Sequence, residues 1–273
     1  MPNVDIESLA RELESAGQRG EMVSRLPSSR PGFDLNSAYD VESTLKQRRV
    51  ASGQNSVGRK VGYANKAMWR ILKLETLVWG HMYDNTVNQA DGNSAKLAIP
   101  HPRSLKIEPE IVFGLKQPLT SDTADAQAAL ASVDWLALGF EIIDCPFPEW
   151  RFQPSDFVAS YGLHAALVIG GHMLVDSNMI PKLVDELAQF KVRMFKNGEY
   201  VEEGSAKNCL RSPALCLGEL GRAILRRFPA ETLAAGEIVS SGTLTAGHAT
   251  QAGDDWRCDV EGLSLPSLTL RLV

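Results

Sequence analysis

The chain has 273 residues, 44% of them apolar, enough for one large hydrophobic core with a smaller appendage. Its net charge of −5 is spread along the chain, with no basic block and no acidic tail, which argues against nucleic acid as the main partner. No apolar run approaches the roughly 20 residues that a membrane-spanning helix requires, so no membrane association is expected.

The N-terminal MPNVDIESLARELESAG lacks the basic start and apolar stretch of a signal peptide. Residues 5–18 place Ile6, Leu9, Ala10 and Leu13 at helical spacing. SRPGFDLNSAYDVESTLKQRRVASG opens with turn chemistry and continues as a second helix, which Gly53 ends. GRKVGYA reads as a strand punctuated by glycine, and NKAMWRILKL as a short helix. From about residue 97 strands are expected to dominate: LKIEPEIVFGL, DWLALGFEIID and HAALVIGG. A helix over 179–190 follows, then a hairpin in FKVRMFKNGEYVEEG turning at Asn197-Gly198. SPALCLGELGRAILRRF is an amphipathic helix, and GEIVSSGTLT and SLPSLTLRLV are late strands. Helices first and strands later point to an α+β architecture.

The four cysteines (Cys145, Cys209, Cys216, Cys258) form no CxxC pair and show no metal-ligand spacing. Cys209 and Cys216, seven apart, suit one helix face. Reduced thiols and a cytoplasmic setting are expected.

The chemistry concentrates in IEPEIVF. On a strand, residues i and i+2 point to one face, so Glu108 and Glu110 converge. Pro109 removes a ladder donor, which predicts an edge position or a bulge. Two neighbouring carboxylates repel, and one takes up a proton unless a cation lies between them. Glu141, on the next strong strand, is a third acid. Together they make an all-oxygen set suited to Mg²⁺ or Mn²⁺ rather than zinc. The plainer alternative is a solvated strand face, on which E-x-E occurs by chance.

SAYDVE, GRKVGYANKAM, KIEPEIVF, LGFEIIDCPFPEW, AGEIVSSGTLT and GLSLPSLTLRL, taken together, resemble the hydratase/decarboxylase branch of the fumarylacetoacetate hydrolase superfamily. That branch is typified by 2-keto-4-pentenoate hydratase and 4-oxalocrotonate decarboxylase. The resemblance runs nearly end to end. It implies a mixed β-roll catalytic domain over residues 76–273, after a helical part with the lysine-bearing strand over 1–75. It implies Glu108, Glu110 and Glu141 as ligands of Mg²⁺ or Mn²⁺. Lys60 in GRKVG matches the family lysine, as acid/base or carboxylate anchor. The implied substrate is a small-molecule 2-oxo or 2-hydroxydienoate acid, and the implied assembly a homo-oligomer.

Further substrate contacts are expected from Ser241 and Thr243 in SSGT, from Arg151, from His81 after the lysine segment, and from Tyr161. The family pattern D-T-V-A-D-N-A-S reads DFVASYGL here, with Ser160, Tyr161 and Gly162 in place of Asp, Asn and Ala. This departure puts the usual dienoate substrate in doubt. His164, in an apolar strand, reads as a satisfied core or boundary histidine. Hydration is the first expectation. Decarboxylation, acylpyruvate-type C–C hydrolysis and a non-catalytic assembly role are the alternatives. No histidine precedes residue 81, which disfavours the hydrolase branch and its His–Glu pair.

Overall fold

The computed structural model describes residues 4–120 and 125–273. Two helices come first, α1 (Ile6–Arg19) and α2 (Leu35–Ala51). Each begins at an acidic N-cap: Asp5 accepts from Ser8 N at 3.0 Å and Asp34 from Ser37 N at 2.9 Å. Gly20 closes α1 in the left-handed conformation, at φ 66. Then come β1 (Ser56–Gly62), α3 (Ala67–Leu72), β2 (Val78–Tyr83), β3 (Val87–Gln89) and β4 (Ser94–Leu97). The long strands β5 (Leu105–Leu115) and β6 (Val133–Asp144) flank α4 (Ala126–Ala131). They are followed by α5 (Pro154–Ala159), β7 (His164–Ile169), β8 (Met173–Leu174) and α6 (Ile180–Gln189). The chain ends with β9 (Lys191–Lys196), β10 (Glu199–Ser205), α7 (Pro213–Arg227), β11 (Ile238–Ser240), β12 (His248–Ala249), β13 (Asp255–Glu261) and β14 (Leu268–Leu272).

The expected α+β class holds, and besides the expected β1 the strands β2, β3 and β4 also precede residue 97. β2 is buried at every position, so it lacks the alternation that reveals a half-buried strand. β3 and β4 are only 3 and 4 residues long. The expected hairpin turn is present: Asn197 and Gly198 both take positive φ, 52 and 85, between β9 and β10.

Nine strands build one sheet, in the order β2-β1-β11-β5-β6-β7-β3, with β12 beside β5 and β8 beside β6. A second sheet runs β10-β9-β13-β14-β4. The lysine-bearing β1 lies inside the larger sheet, between β2 and β11. One face of β5 feeds the main core through Ile107, Ile111 and Phe113, all fully buried. The other face carries Val112, which packs with Met82, Ala137, Leu167 and Ile169 in a separate small cluster. The acids stand on this second face.

Pro109 is not on an edge strand, and its position corrects that expectation. β5 is paired with β6 along one side. Along the other it meets β11 at residues 112–114 and β12 at 106–107, leaving a gap between. The Pro109 carbonyl accepts from Leu244 N across this gap at 2.9 Å. The nitrogen without hydrogen faces the same interval, where no ladder bond is lost.

Candidate active site

In the β5–β6 register Glu108 stands opposite Glu141, and Pro109 opposite Phe140. Opposed residues and alternate residues share a face, so Glu108, Glu110 and Glu141 all point the same way. One carboxylate oxygen from each lies within 4.8 Å of the others. Lys60 of β1 is in register with Ser240 of β11, and Ser240 with Val112 of β5. Both therefore project from the acidic face.

Glu110 and Glu141 are each oriented by neighbours. Ser240 Oγ donates to Glu110 Oε2 at 2.5 Å, and Gly242 N donates to the same oxygen at 2.8 Å. His164 Nδ1 lies 2.8 Å from Glu141 Oε1, and its Nε2 lies 3.0 Å from Thr86 Oγ1. Lys60 Nζ sits 2.8 Å from Glu141 Oε2 and donates to the Gly162 carbonyl at 3.1 Å. Glu110 Oε1 is buried without any hydrogen-bond partner. An orphaned carboxylate oxygen is strongly unfavourable unless a proton or a cation meets it.

The electrostatics agree. Burial pushes the Glu108 carboxyl up to about 7, against the pull of Lys60. Burial and the Glu141 charge hold Glu110 well above its ordinary value. Burial opposes the charge on Glu141 too, but Lys60 and His164 outweigh it and keep that carboxyl low. Lys60 is raised: burial works against its ammonium, and Glu141, Glu108 and Glu110 more than compensate. Burial lowers His164, which favours its neutral form. One ammonium thus faces three carboxylates. The uncompensated charge is that of a divalent cation, and the all-oxygen donor set fits Mg²⁺ or Mn²⁺.

The cluster forms the floor of a cavity of about 510 Å³. Lys60 and Glu108 reach its surface, with Glu110 and Glu141 fully buried behind them. Ile143, Trp150, Phe152, Phe157 and Leu163 are its apolar walls, and Asn65, Asn208, Thr243 and Thr245 its polar ones.

The structure brings together Lys60, Glu108, Glu110, Glu141 and Thr243. It separates the other expected contacts. His81 is in register with Arg59, so it projects from the opposite face to Lys60. There its Nδ1 lies 2.5 Å from Glu42 Oε1. Arg151 is 82% exposed and pairs with Glu149. It does not pair with Asp144, which Arg103 holds at 2.7 Å. Tyr161 stacks under the Arg49 guanidinium at 4.2 Å and does not line the cavity. Ser241 follows Ser240, so its side chain turns away from Glu110. Its Oγ is buried and unpartnered, while its carbonyl accepts from both Cys209 and Cys216 Sγ at 2.9 Å.

The sequence reading missed Ser240, His164 and Gly162. Ser240 and His164 are recognisable only once the register shows which residues share the acidic face. Gly162 has φ 61, and a Cβ there would lie 2.9 Å from Lys60 Cδ. It thereby lets the lysine stem pass beneath the turn.

A sequence model described as "Fumarylacetoacetate (FAA) hydrolase C-terminal" matches residues 50–271. The chain belongs to the fumarylacetoacetate hydrolase family. Among curated proteins of this family, 2-keto-4-pentenoate hydratase of Paraburkholderia xenovorans (strain LB400) is 28% identical over 257 residues. That alignment covers 94% of this chain and 91% of the hydratase. 4-Oxalocrotonate decarboxylase of Pseudomonas sp. (strain CF600) is 27% identical, over 94% of this chain and 93% of its own. Among solved structures, 4-oxalocrotonate decarboxylase from Pseudomonas putida G7, complexed with magnesium and adipate, superposes with a TM-score of 0.86 at 25% identity. The superposition covers 98% of this chain and 97% of that one. The fold likeness extends to a fumarylpyruvate hydrolase from Pseudomonas aeruginosa, at TM-score 0.59 and 18% identity over 79% of this chain and 88% of that one.

Proposed function

We propose that this fumarylacetoacetate hydrolase family member is a divalent-metal-dependent lyase that adds water to a 2-hydroxy-2,4-dienoate or its 2-oxo tautomer. One observation carries the reading: three convergent carboxylates, with Glu110 Oε1 buried and unpartnered, beside the single ammonium of Lys60. Glu108, Glu110 and Glu141 would hold Mg²⁺ or Mn²⁺, which supplies Lewis-acid stabilisation of enolate charge when bound. Ser240 and His164 hold the acids in place. Lys60, which lines the cavity and whose Nζ is held beside Glu141, is the group to donate and recover the proton that water addition requires. Thr243 lines the cavity with its hydroxyl tied to the Thr245 backbone, and Phe152 and Phe157 exclude bulk water from the diene.

Decarboxylation on the same scaffold is the second reading, supported by the decarboxylase relatives and their superposition. Acylpyruvate hydrolysis is less well supported, because no histidine lines the cavity among the described residues. The four free, buried cysteines fit a cytoplasmic setting, and a homo-oligomer is proposed with it.

Calorimetric titration with Mg²⁺ tests the root of this reading. The native chain should bind the ion, and Glu110→Gln should weaken binding by about 100-fold or more. Equal affinity in the two proteins would remove the metal site and the lyase with it. With metal bound, 2-hydroxypenta-2,4-dienoate should lose its ultraviolet absorbance. Release of CO₂ from 4-oxalocrotonate without that loss would select the second reading.

A further inference from the structure

The β9–β10 hairpin is not regular. Tyr200 stands opposite Phe195, but Glu202 stands opposite Met194, so two steps along β10 match one along β9. The extra residue, Val201, makes a β-bulge. Tyr200 is largely exposed and packs edge-on against Phe195, which marks the outer face of the second sheet. Met194 is fully buried and marks the inner face. Regular alternation would leave Glu202 outside with Tyr200. The bulge turns it inward, and Glu202 lines the cavity above the triad. There it is held by one oxygen. Oε2 accepts from Ala246 N at 3.1 Å and lies 2.8 Å from His248 Nε2. Oε1 has no hydrogen-bond partner among the described residues. The next residue of the same loop, Gly247, lies against the triad: a Cβ there would be 2.9 Å from Glu108 Oε1. Among the described residues, Glu202 is the one carboxylate outside the triad that lines this cavity.

We propose that Glu202, turned into the cavity by the bulge and held there by His248, is the base that takes a proton from the attacking water. The inference rests on the hydratase reading given above. Water adds to C4 of the 2-oxo-3-enoate form, two carbons from the 2-oxo group. As the O–C4 bond forms, the C3–C4 π pair shifts toward C2, and the water proton passes to Glu202 Oε1. Lys60 gives a proton to C3 and recovers it from Glu202 through solvent. The sum is one water added, with hydroxyl at C4 and hydrogen at C3. With Lys60 assigned to the carbon proton, the water proton needs a second acceptor. The Glu202 side chain is 35% exposed, so water reaches it and its proton can leave. His248 does not line the cavity and acts through Glu202 as a positioning residue.

The Mg²⁺-loaded protein is assayed with 2-hydroxypenta-2,4-dienoate, and with 2-oxopentanoate in deuterated water. Glu202→Gln should lower kcat for hydration by about 10²–10⁴-fold. It should leave unchanged both the calorimetric affinity for 2-oxopentanoate and the deuterium exchange at its C3, which involves Lys60 and no attacking water. His248→Gln can still donate to Oε2 and should keep most of kcat, whereas His248→Leu should lower kcat without changing KM. Equal kcat in those two variants would remove the histidine from the proposal. Hydration by Glu202→Gln at the native rate, or loss of exchange together with hydration, would overturn the base while leaving the hydratase reading intact. A native protein that does not hydrate the dienoate would overturn that parent reading, and the base with it.

Discussion

Ser240 holds Glu110 Oε2 through a 2.5 Å hydrogen bond, and so determines which oxygen of that acid remains free. Removing the hydroxyl leaves the fold intact but lets the carboxylate turn. Ser240→Ala should weaken Mg²⁺ binding by about 10-fold, as is typical for partners that orient ligands. Calorimetry reads the change, and an unaltered thermal midpoint of the metal-free protein checks the fold. The acids also set a pH dependence. In the metal-free protein Glu108 moves from 4.5 to about 7 on folding. Between those values the folded chain holds more protons than the unfolded one, so metal-free stability falls as pH rises. Metal binding requires the deprotonated acids and releases their protons. The rise in melting temperature on adding Mg²⁺ should therefore be larger at about pH 8 than at about pH 6. An increment that shrinks with pH would contradict the assignment of these acids as ligands.

At the scale of elements, the site depends on a turn as much as on strands. The short turn 161–163 carries Tyr161, Gly162 and Leu163 at positive φ, 56, 61 and 58. It supplies the carbonyl that accepts from Lys60. Gly80 of β2 permits this approach, since a Cβ there would lie 2.9 Å from the Tyr161 carbonyl oxygen. Gly162→Ala adds left-handed strain and a clash with the lysine stem. It should lower stability by about 1–3 kcal/mol in denaturant titration. It should also reduce turnover, because Lys60 must shift. Loss of stability without any effect on turnover would show that Lys60 does not depend on this turn.

For the whole molecule, the segment joining the two N-terminal helices is tied to α5 by a buried acid. Asp156, on α5, accepts from Ser28 N and Ser28 Oγ, both at 2.6 Å, and from Gln153 N at 2.8 Å. α2 packs against the same helix. Asp156→Ala removes these bonds and leaves donors unpaired in a buried place, which should cost about 2–3 kcal/mol. Hydrogen exchange should quicken in α1 and α2 before it does in β5 and β6, whose pairing the change does not touch. Uniform quickening across the chain would show that the two parts open as one cooperative unit.

Local chemistry decided what could be read early. E-x-E on an apolar strand, Asn197-Gly198 between two strands and helical apolar spacing each act over a few residues, so spacing alone exposes them. The helices α1, α2, α6 and α7, the strands β5 to β7, and the three acids with Lys60 were legible for that reason. Uniformly buried β2 and the very short β3 and β4 give no periodic signal, so β1 was the one strand expected before residue 97. His81 and Ser241 fall away from the acids because a one-residue step along a strand reverses the face, and only the pairing register fixes the phase; Arg151 and Tyr161 lie in turns, whose direction no local period gives. That register puts Ser240 rather than Ser241 on Glu110, and His164 on Glu141. The sequence by itself determined that three carboxylates and a lysine exist in strand-like surroundings, since residue identity and local period suffice for that. Only the tertiary structure decided that Glu141 and Lys60 share one face with Glu108 and Glu110, because cross-strand pairing is a long-range choice that no local pattern encodes.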